Sequence, residues 1–382
     1  MQHQHTKGSA QLKTIIIYGG GMAGTFLAKQ LCQEFAVTLV DSNEYFEIPM
    51  ATPRSIIQPS FAEAAIIPFA EALPEVKHIQ GRLTKLHPDC SATVELASGE
   101  ALHLQADLTV LATGSQFSND LMRGQKQTKQ QRLAFYQSFA DQVKRAKKII
   151  LVGGGPIGVE VAGEINEQYP HKQLTILEAG PRLLAGTANN VSHYAAKDLS
   201  RRGVKILTQT RLVNASHAPS CILNHTGQAK LSTGDELDYD LIIWCTGGQP
   251  NTQFMQANFD NVLNAKQQIK VQPSLQVTGY SHLFALGDIT DLAENKMAWH
   301  INGQIPVAAH NIRRILTSKQ NPLKHYRAKT NNPMMAVTLG SQKGVVYLPM
   351  IGMINIPFVT KMAKAGHMLV PKYRKELGLS ST

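Results

Sequence analysis

The chain lacks paired cysteines. Its four, Cys32, Cys90, Cys221 and Cys245, form no C-x-x-C or C-x4-C spacing, which excludes a cysteine-built metal site or a redox disulfide of adjacent thiols and suits a reducing compartment. No other cluster has metal-ligand spacing, so no metal is expected. Long apolar runs are missing too. The best stretch, residues 344–360, is shorter than the ~20 apolar residues of a spanning helix and is broken by Pro349, Asn355 and Pro357. The N-terminal residues, among them Gln2, His3, Gln4 and His5, are Gln- and His-rich and contain no apolar core of a secretory signal. Any membrane association is therefore expected to be peripheral. Acidic residues are scarce in one region only: after Asn311 there are twelve Lys and Arg against a single acid, Glu376, which accounts for the whole formal charge of +11. A neutral body carries a basic tail. With 382 residues, 43% of them hydrophobic, the chain can fill two or three packed domains, and disorder is excluded.

Short runs of Ile, Val and Leu ending in Gly or an acid alternate with segments of helical period, the pattern of a parallel sheet with helical crossovers. A strand over 14–18, a helix over 24–35 and a strand over 37–40 form one such unit. The unit recurs as a strand over 149–152, a helix over 158–169 and a strand over 174–177. Residues 83–104 alternate and carry turn signals at His87-Pro88-Asp89 and Ser98-Gly99, so an antiparallel excursion is expected there. The fold class is α/β: two Rossmann-like dinucleotide-binding lobes plus a small C-terminal α+β segment facing a membrane. The first lobe is expected to be discontinuous, at 1–115 and 250–325, with the second inserted at 116–249 and the basic segment at 326–382.

Gly19-x-Gly21-x-x-Gly24 lies where a strand turns into a helix. In that setting the first glycine makes the turn, the second lets backbone approach a pyrophosphate and the third packs helix on strand, with phosphate charge at the helix N-terminus. Asp41 ends the next strand, where a carboxylate accepts ribose hydroxyls; alone it would equally be a solvated turn acid. Gly153-x-Gly155-x-x-Gly158 repeats the arrangement, with Glu178 in the place of Asp41. A carboxylate there opposes a 2′-phosphate by roughly 4 kcal/mol at ~4 Å and an effective dielectric of ~20, which favours NADH; Arg182 nearby would soften that preference and leaves NADPH open.

Five motifs in this order, the two glycine loops, Ala112-Thr113-Gly114, Thr246-Gly247-Gly248 and Leu286-Gly287-Asp288, resemble the FAD-dependent pyridine nucleotide-disulfide oxidoreductases. The resemblance implies FAD in the first lobe, on Gly19, Gly20, Gly21, Met22, Ala23, Gly24, Asp41, Arg54, Leu83, Ala112, Thr113, Gly114 and Asp288. It implies a nicotinamide dinucleotide in the second, on Gly153, Gly155, Pro156, Ile157, Gly158, Glu178, Thr246, Gly247 and Gly248. Asp288 would hold the ribityl chain, although a helix N-cap fits the same geometry. No cysteine lies between Asp41 and Arg54, which removes disulfide-reductase chemistry.

Glu160, two residues past Gly158, and Arg54, Lys296 and the run from Val307 to Ile312 make the chain most similar to the ferroptosis-suppressor and apoptosis-inducing-factor-like oxidoreductases and to type II NADH dehydrogenases. That similarity implies that Glu160 orients the nicotinamide and that Lys296 opens a helix aimed at the flavin, stabilising its anionic reduced form. Gln2 stands where N-myristoylation requires glycine. Gln304 matches a quinone-facing position, yet a glutamine on a helix is more often simply exposed.

In the tail an apolar stretch with Met350 and Met353 is followed by Lys361, Lys364, Lys372, Arg374 and Lys375 with Met362, Met368, Leu369 and Val370 between them, as in a segment lying in a membrane interface; a small β-α subdomain covering the flavin lobe, with solvated lysines outside, is the alternative and is compatible with it. Five engaged cations at ~1 kcal/mol each would give roughly 5 kcal/mol of attraction to anionic lipid. The expected function is an NAD(P)H:quinone oxidoreductase, cytoplasmic and peripheral on the inner membrane face. An NADH-dependent reductase of an iron–sulfur carrier and a slow-turnover NAD(H)-sensing protein remain the alternatives. Nucleic acid is not expected, because the cationic end has few interleaved aromatics.

Overall fold

The structure is a computed structural model and describes residues 12–117, 120–213, 222–223, 226–318, 321–330 and 334–381. Gln2, His3, Gln4, His5 and Cys221 lie outside the described residues. Two sheets organise the molecule. The first has seven strands, in the order Leu283–Ala285, Leu108–Leu111, Thr14–Tyr18, Ala36–Asp41, Lys77–Leu86, Ala92–Leu96 and Ala101–Leu104. Its central strands are parallel, with Ile15 opposite both Val37 and Leu108. Such strands are covered on both faces and read as unbroken apolar runs, and Ile15, Ile16, Ile17 and Tyr18 are all buried.

The strand Lys77–Leu86 has two roles along its length. Its first half pairs in parallel with Ala36–Asp41, and from Gly81 onward it pairs antiparallel with Ala92–Leu96. The antiparallel excursion is thus the edge of the first sheet. The second sheet has the order Lys205–Leu207, Gln173–Leu177, Lys148–Val152, Leu241–Trp244 and Ile222–Leu223. Where the chain crosses between the sheets in each direction, Ser115 and Gln116 pair antiparallel with Pro250 and Gln249.

Both helices that follow the glycine loops start two residues before the expected positions. Met22–Leu31 and Pro156–Gln168 have Gly21 and Gly155 as their N-caps, neither with a side-chain cap. Pro156 fits because a first-turn residue has no intrahelical N–H bond to lose.

The tail is part of the packed body. Met335–Thr338, Gly344–Leu348 and Gly352–Ile354 form a three-stranded antiparallel sheet. Met335, Val337, Leu339 and Val345 bury among Val159, Ala162 and Ile165 in the core of the second lobe. Val370, Tyr373 and Leu377, from the helix Val370–Glu376 and its end, bury in the core of the first lobe beside Phe26 and Phe46. One segment completes two cores. No described helix is long and apolar enough to cross a membrane.

Candidate functional site

The two glycine loops are built alike. Gly19 and Gly153 have φ of +105° and +111°, a left-handed region that disfavours any side chain. A Cβ at Gly24 would overlap the Gly19 carbonyl oxygen, and one at Gly158 would overlap that of Gly153, so the third glycine brings helix onto strand. The second glycine differs in kind. A Cβ at Gly155 would meet nothing within 4 Å, and one at Gly21 only the Arg123 guanidinium at 3.3 Å. The protein leaves space beside the second glycine, at the uncapped N-terminus of a helix, where a phosphate is stabilised by free N–H groups and the helix dipole. Two dinucleotides fit these residues.

The strand-end acids brace the loops. Asp41 accepts from the Gly20 N–H at 2.6 Å and the Asn43 N–H at 2.9 Å, and Glu178 accepts from the Gly154 N–H at 2.7 Å and the Gly180 N–H at 2.6 Å. Asp41 carries one further partner, the Arg123 guanidinium at 2.5 Å. Arg182 turns away from the second loop and donates to the Leu184, Ala185 and Thr187 carbonyls.

The other motifs follow the carboxyl ends of neighbouring strands of the two sheets. The Ala112 carbonyl abuts Gly19; Thr113 Oγ1 donates to the Asn251 carbonyl at 2.7 Å, and Gly114 has φ +64°. The Cys245 carbonyl and Thr246 amide flank Gly153, Gly247 faces open space, and Gly248 sits against Ser115 and Gln116. Met22 and Ala23 are buried in the first helical turn, while Ile157 is half-buried in the matching turn. Leu83 lies in the apolar core around Val94 and Leu111, so its side chain serves packing.

Asp288 lies in the short turn Gly287–Ile289 and accepts weakly from Ser115 Oγ at 3.4 Å. Burial pushes its pKa up, and Lys296 opposes the rise. Lys296 donates to the Thr290 carbonyl at 2.7 Å, and burial lowers its pKa. The helix that follows is Ala298–Leu316, capped by Met297, so Lys296 lies just before it rather than opening it. Gln304, expected on the surface, is 2% exposed. Its Oε1 accepts from the Gly287 N–H at 2.8 Å and its Nε2 donates to Glu294 at 2.9 Å, which braces the turn carrying Asp288. Beside it His300 is buried and its pKa is lowered by desolvation.

Glu160 and Glu164, one turn apart on the helix Pro156–Gln168, both face inward. Glu160 accepts from Lys364 Nζ at 2.5 Å and the Thr338 N–H at 2.9 Å. Glu164 forms a two-point pair with Arg54, at 2.8 and 3.1 Å, and burial raises its pKa against the pull of the guanidinium. Arg54 also donates to the carbonyls of Ala365 at 2.6 Å and Gly366 at 3.2 Å. Arg54, expected at the flavin, is buried, and the bonds from all three of its guanidinium nitrogens clamp the first lobe, the second lobe and the tail together. Lys364 and Arg374, expected on lipid headgroups, are buried. Lys364 is held by Glu160, and Arg374 donates to the carbonyls of Ser380 and Ala64 and lies 3.7 Å from Glu71. Of the five cations expected on headgroups, Lys361, Lys372 and Lys375 are exposed.

Sequence reasoning missed Arg123, Glu164 and the pairing of Lys364. Glu164 had a signal, since two acids four residues apart in an otherwise apolar helix mark one buried face. Arg123 had none. Among the described residues Cys32 and Cys90 are free thiols and no cluster could hold a metal ion.

Two glycine loops, each with its strand-end acid, at the carboxyl ends of the central parallel strands of two sheets define an α/β oxidoreductase of the two-dinucleotide class. The chain belongs to the pyridine nucleotide-disulphide oxidoreductase family, whose model matches residues 13–313, and this family binds FAD and NAD(P)H. It is 30% identical to apoptosis-inducing factor homolog B of Dictyostelium discoideum, over 97% of this chain and 98% of that one. It is 29% identical to ferroptosis suppressor protein 1 of Mus musculus, over 93% of each chain. NDH2 from Plasmodium falciparum, solved in complex with NADH, shares the fold with a TM-score of 0.73 and 15% identity over 96% of this chain and 97% of that one.

Proposed function

We propose that the protein moves two electrons from NADH through FAD to a quinone at an anionic membrane surface, so that NADH, a proton and quinone yield NAD+ and quinol. FAD, when bound, supplies the acceptor for hydride and the donor to quinone. The chain's own residues position and enclose. Asp41 and Glu178 stand where ribose hydroxyls are accepted, and Glu178 disfavours a 2′-phosphate. Asp288 lies beside the first loop's partners to hold the flavin side chain. Glu160, held in place by Lys364 and the Thr338 N–H, offers its carboxylate at the glycine-loop helix to orient the nicotinamide.

One observation carries the membrane part. Met350, Ile351, Ile356, Phe358 and Met362 are 99%, 70%, 59%, 71% and 64% exposed, and the same segment supplies Lys364 to Glu160. The apolar patch and the nicotinamide-orienting carboxylate are thus joined by a few residues. Inserting one such side chain stabilises by about 1.5–3 kcal/mol, whereas three exposed lysines contribute roughly 3 kcal/mol together. Apolar insertion therefore outweighs headgroup attraction, and docking should survive moderate salt.

The test combines Phe358→Glu with Met362→Glu. Co-sedimentation with phosphatidylserine-containing vesicles and turnover of a long-chain quinone in those vesicles should both fall at least tenfold, while reduction of a short water-soluble quinone stays unchanged. Unaltered sedimentation would overturn the docking assignment. If anaerobic NADH fails to bleach the bound flavin of the unaltered protein, the enzyme assignment falls.

A further inference from the structure

The two loops share their glycines and their strand-end acids, and they differ in the space over the second glycine. Over Gly155 it is open, and over Gly21 it holds the Arg123 guanidinium, 3.3 Å from where a Cβ would sit. The same guanidinium is ion-paired with Asp41 at 2.5 Å. Arg123 is 31% exposed on its side chain and Asp41 5%, so the arginine covers the acid from the solvent side. Both Asp41 oxygens are already taken by the Gly20 and Asn43 amides. Arg123 is anchored from behind by its own loop, where the neighbouring Gly124 carbonyl accepts from Asn43 Nδ2 at 2.8 Å and the Gln127 N–H donates to Asn43 Oδ1 at 3.0 Å. One asparagine therefore ties the strand end carrying Asp41 to the loop carrying Arg123.

We infer that Arg123 is a latch over the first dinucleotide site, which holds the pyrophosphate of a resident cofactor and makes that site slow to exchange, while the second, unlatched site exchanges freely. The inference rests on the assignment of FAD to the first loop. A guanidinium fork matches two phosphate oxygens as well as it matches a carboxylate, so Arg123 can trade Asp41 for the pyrophosphate as the acid turns to ribose hydroxyls. Among the described residues nothing comparable stands over Gly155, and Arg182, the cation after the second strand-end acid, is spent on the carbonyls of its own loop. The asymmetry matches two chemical demands, a bound flavin that must persist through many turnovers and a nicotinamide that must leave after each one.

The experiment measures FAD release from the full-length holoprotein by recovery of free flavin fluorescence, NADH affinity by titration, and ADP affinity by competition with FAD rebinding. In Arg123→Ala the release rate should rise at least tenfold and ADP affinity should fall by a similar factor, with NADH affinity within twofold of the unaltered protein. Arg123→Lys keeps the charge without the fork and should fall between the two; it decides the matter if the alanine variant does not fold. Unchanged FAD release in either folded variant, or an unchanged ADP affinity, would overturn the latch. Failure of the unaltered protein to hold FAD would instead overturn the cofactor assignment.

Discussion

Alanine at the second or at the third glycine of the nicotinamide loop should have opposite consequences, and the contrast separates a binding surface from a packing contact. At Gly158 the new methyl would overlap the Gly153 carbonyl, a backbone atom that cannot swing aside. Helix and strand must part by about 1 Å, and overpacking of this kind costs roughly 1–3 kcal/mol. At about 2–4 °C per kcal/mol, the melting temperature of Gly158→Ala should drop by on the order of 5 °C. At Gly155 the backbone has φ −72°, which alanine adopts freely, and the methyl meets nothing within 4 Å. The gain of about 0.4–1 kcal/mol from a stiffer unfolded chain offsets the weaker N-cap preference of alanine, so Gly155→Ala should melt within about 2 °C of the unaltered protein. Its methyl occupies the space left for the pyrophosphate, and NADH should bind at least tenfold more weakly, about 1.4 kcal/mol. Circular-dichroism melts and NADH titration of both variants supply the readout. Gly155→Ala protein that binds NADH as tightly as the unaltered chain would refute the placement of the dinucleotide.

Arg54→Met leaves Glu164 buried without its partner and should cost about 3–5 kcal/mol in urea unfolding, whereas Arg54→Met combined with Glu164→Met should recover most of the loss. Asp288→Asn should raise the melting temperature of flavin-free protein at pH 7 while weakening FAD binding. Burial lifts the Asp288 pKa above its ordinary 3.8, so its ionisation opposes folding above the folded-state pKa, and the gain should shrink as pH falls through that pKa towards 3.8. Glu178→Gln removes the charge that opposes a 2′-phosphate and should raise the ratio of kcat/KM for NADPH over NADH at least tenfold.

What could be read from the chain alone follows from the range of each contact. The glycine loops were legible because the first and third glycines of each answer to the adjacent strand end or to an atom within a few residues, and local spacing encodes that. The helix starts were placed two residues late because the second glycine, taken as loop, is the cap itself. The clamp around Arg54 was illegible: its partners Glu164 and Ala365 lie 110 and 311 positions away, and no periodicity links them. Lys364 and Arg374 were misassigned for a related reason. Set in a run of cations they look solvated, and only the fold reveals which two of the five meet Glu160 and the carbonyls around Ala64. Gln304 turned inward because the Gly287 amide needed an acceptor, a demand invisible until the turn is placed against the helix.

The tail's split packing has a consequence for how the molecule is made. Met335, Val337 and Val345 fill one core and Val370, Tyr373 and Leu377 the other, yet all of them leave the ribosome after every strand of both sheets. Neither lobe can complete its interior until residues 335–377 have been made, so the nascent chain waits with two open apolar seams, and this late segment closes both. Removing that segment to test membrane docking would uncover both interiors at once, which is why point changes on its outer face are the informative perturbation.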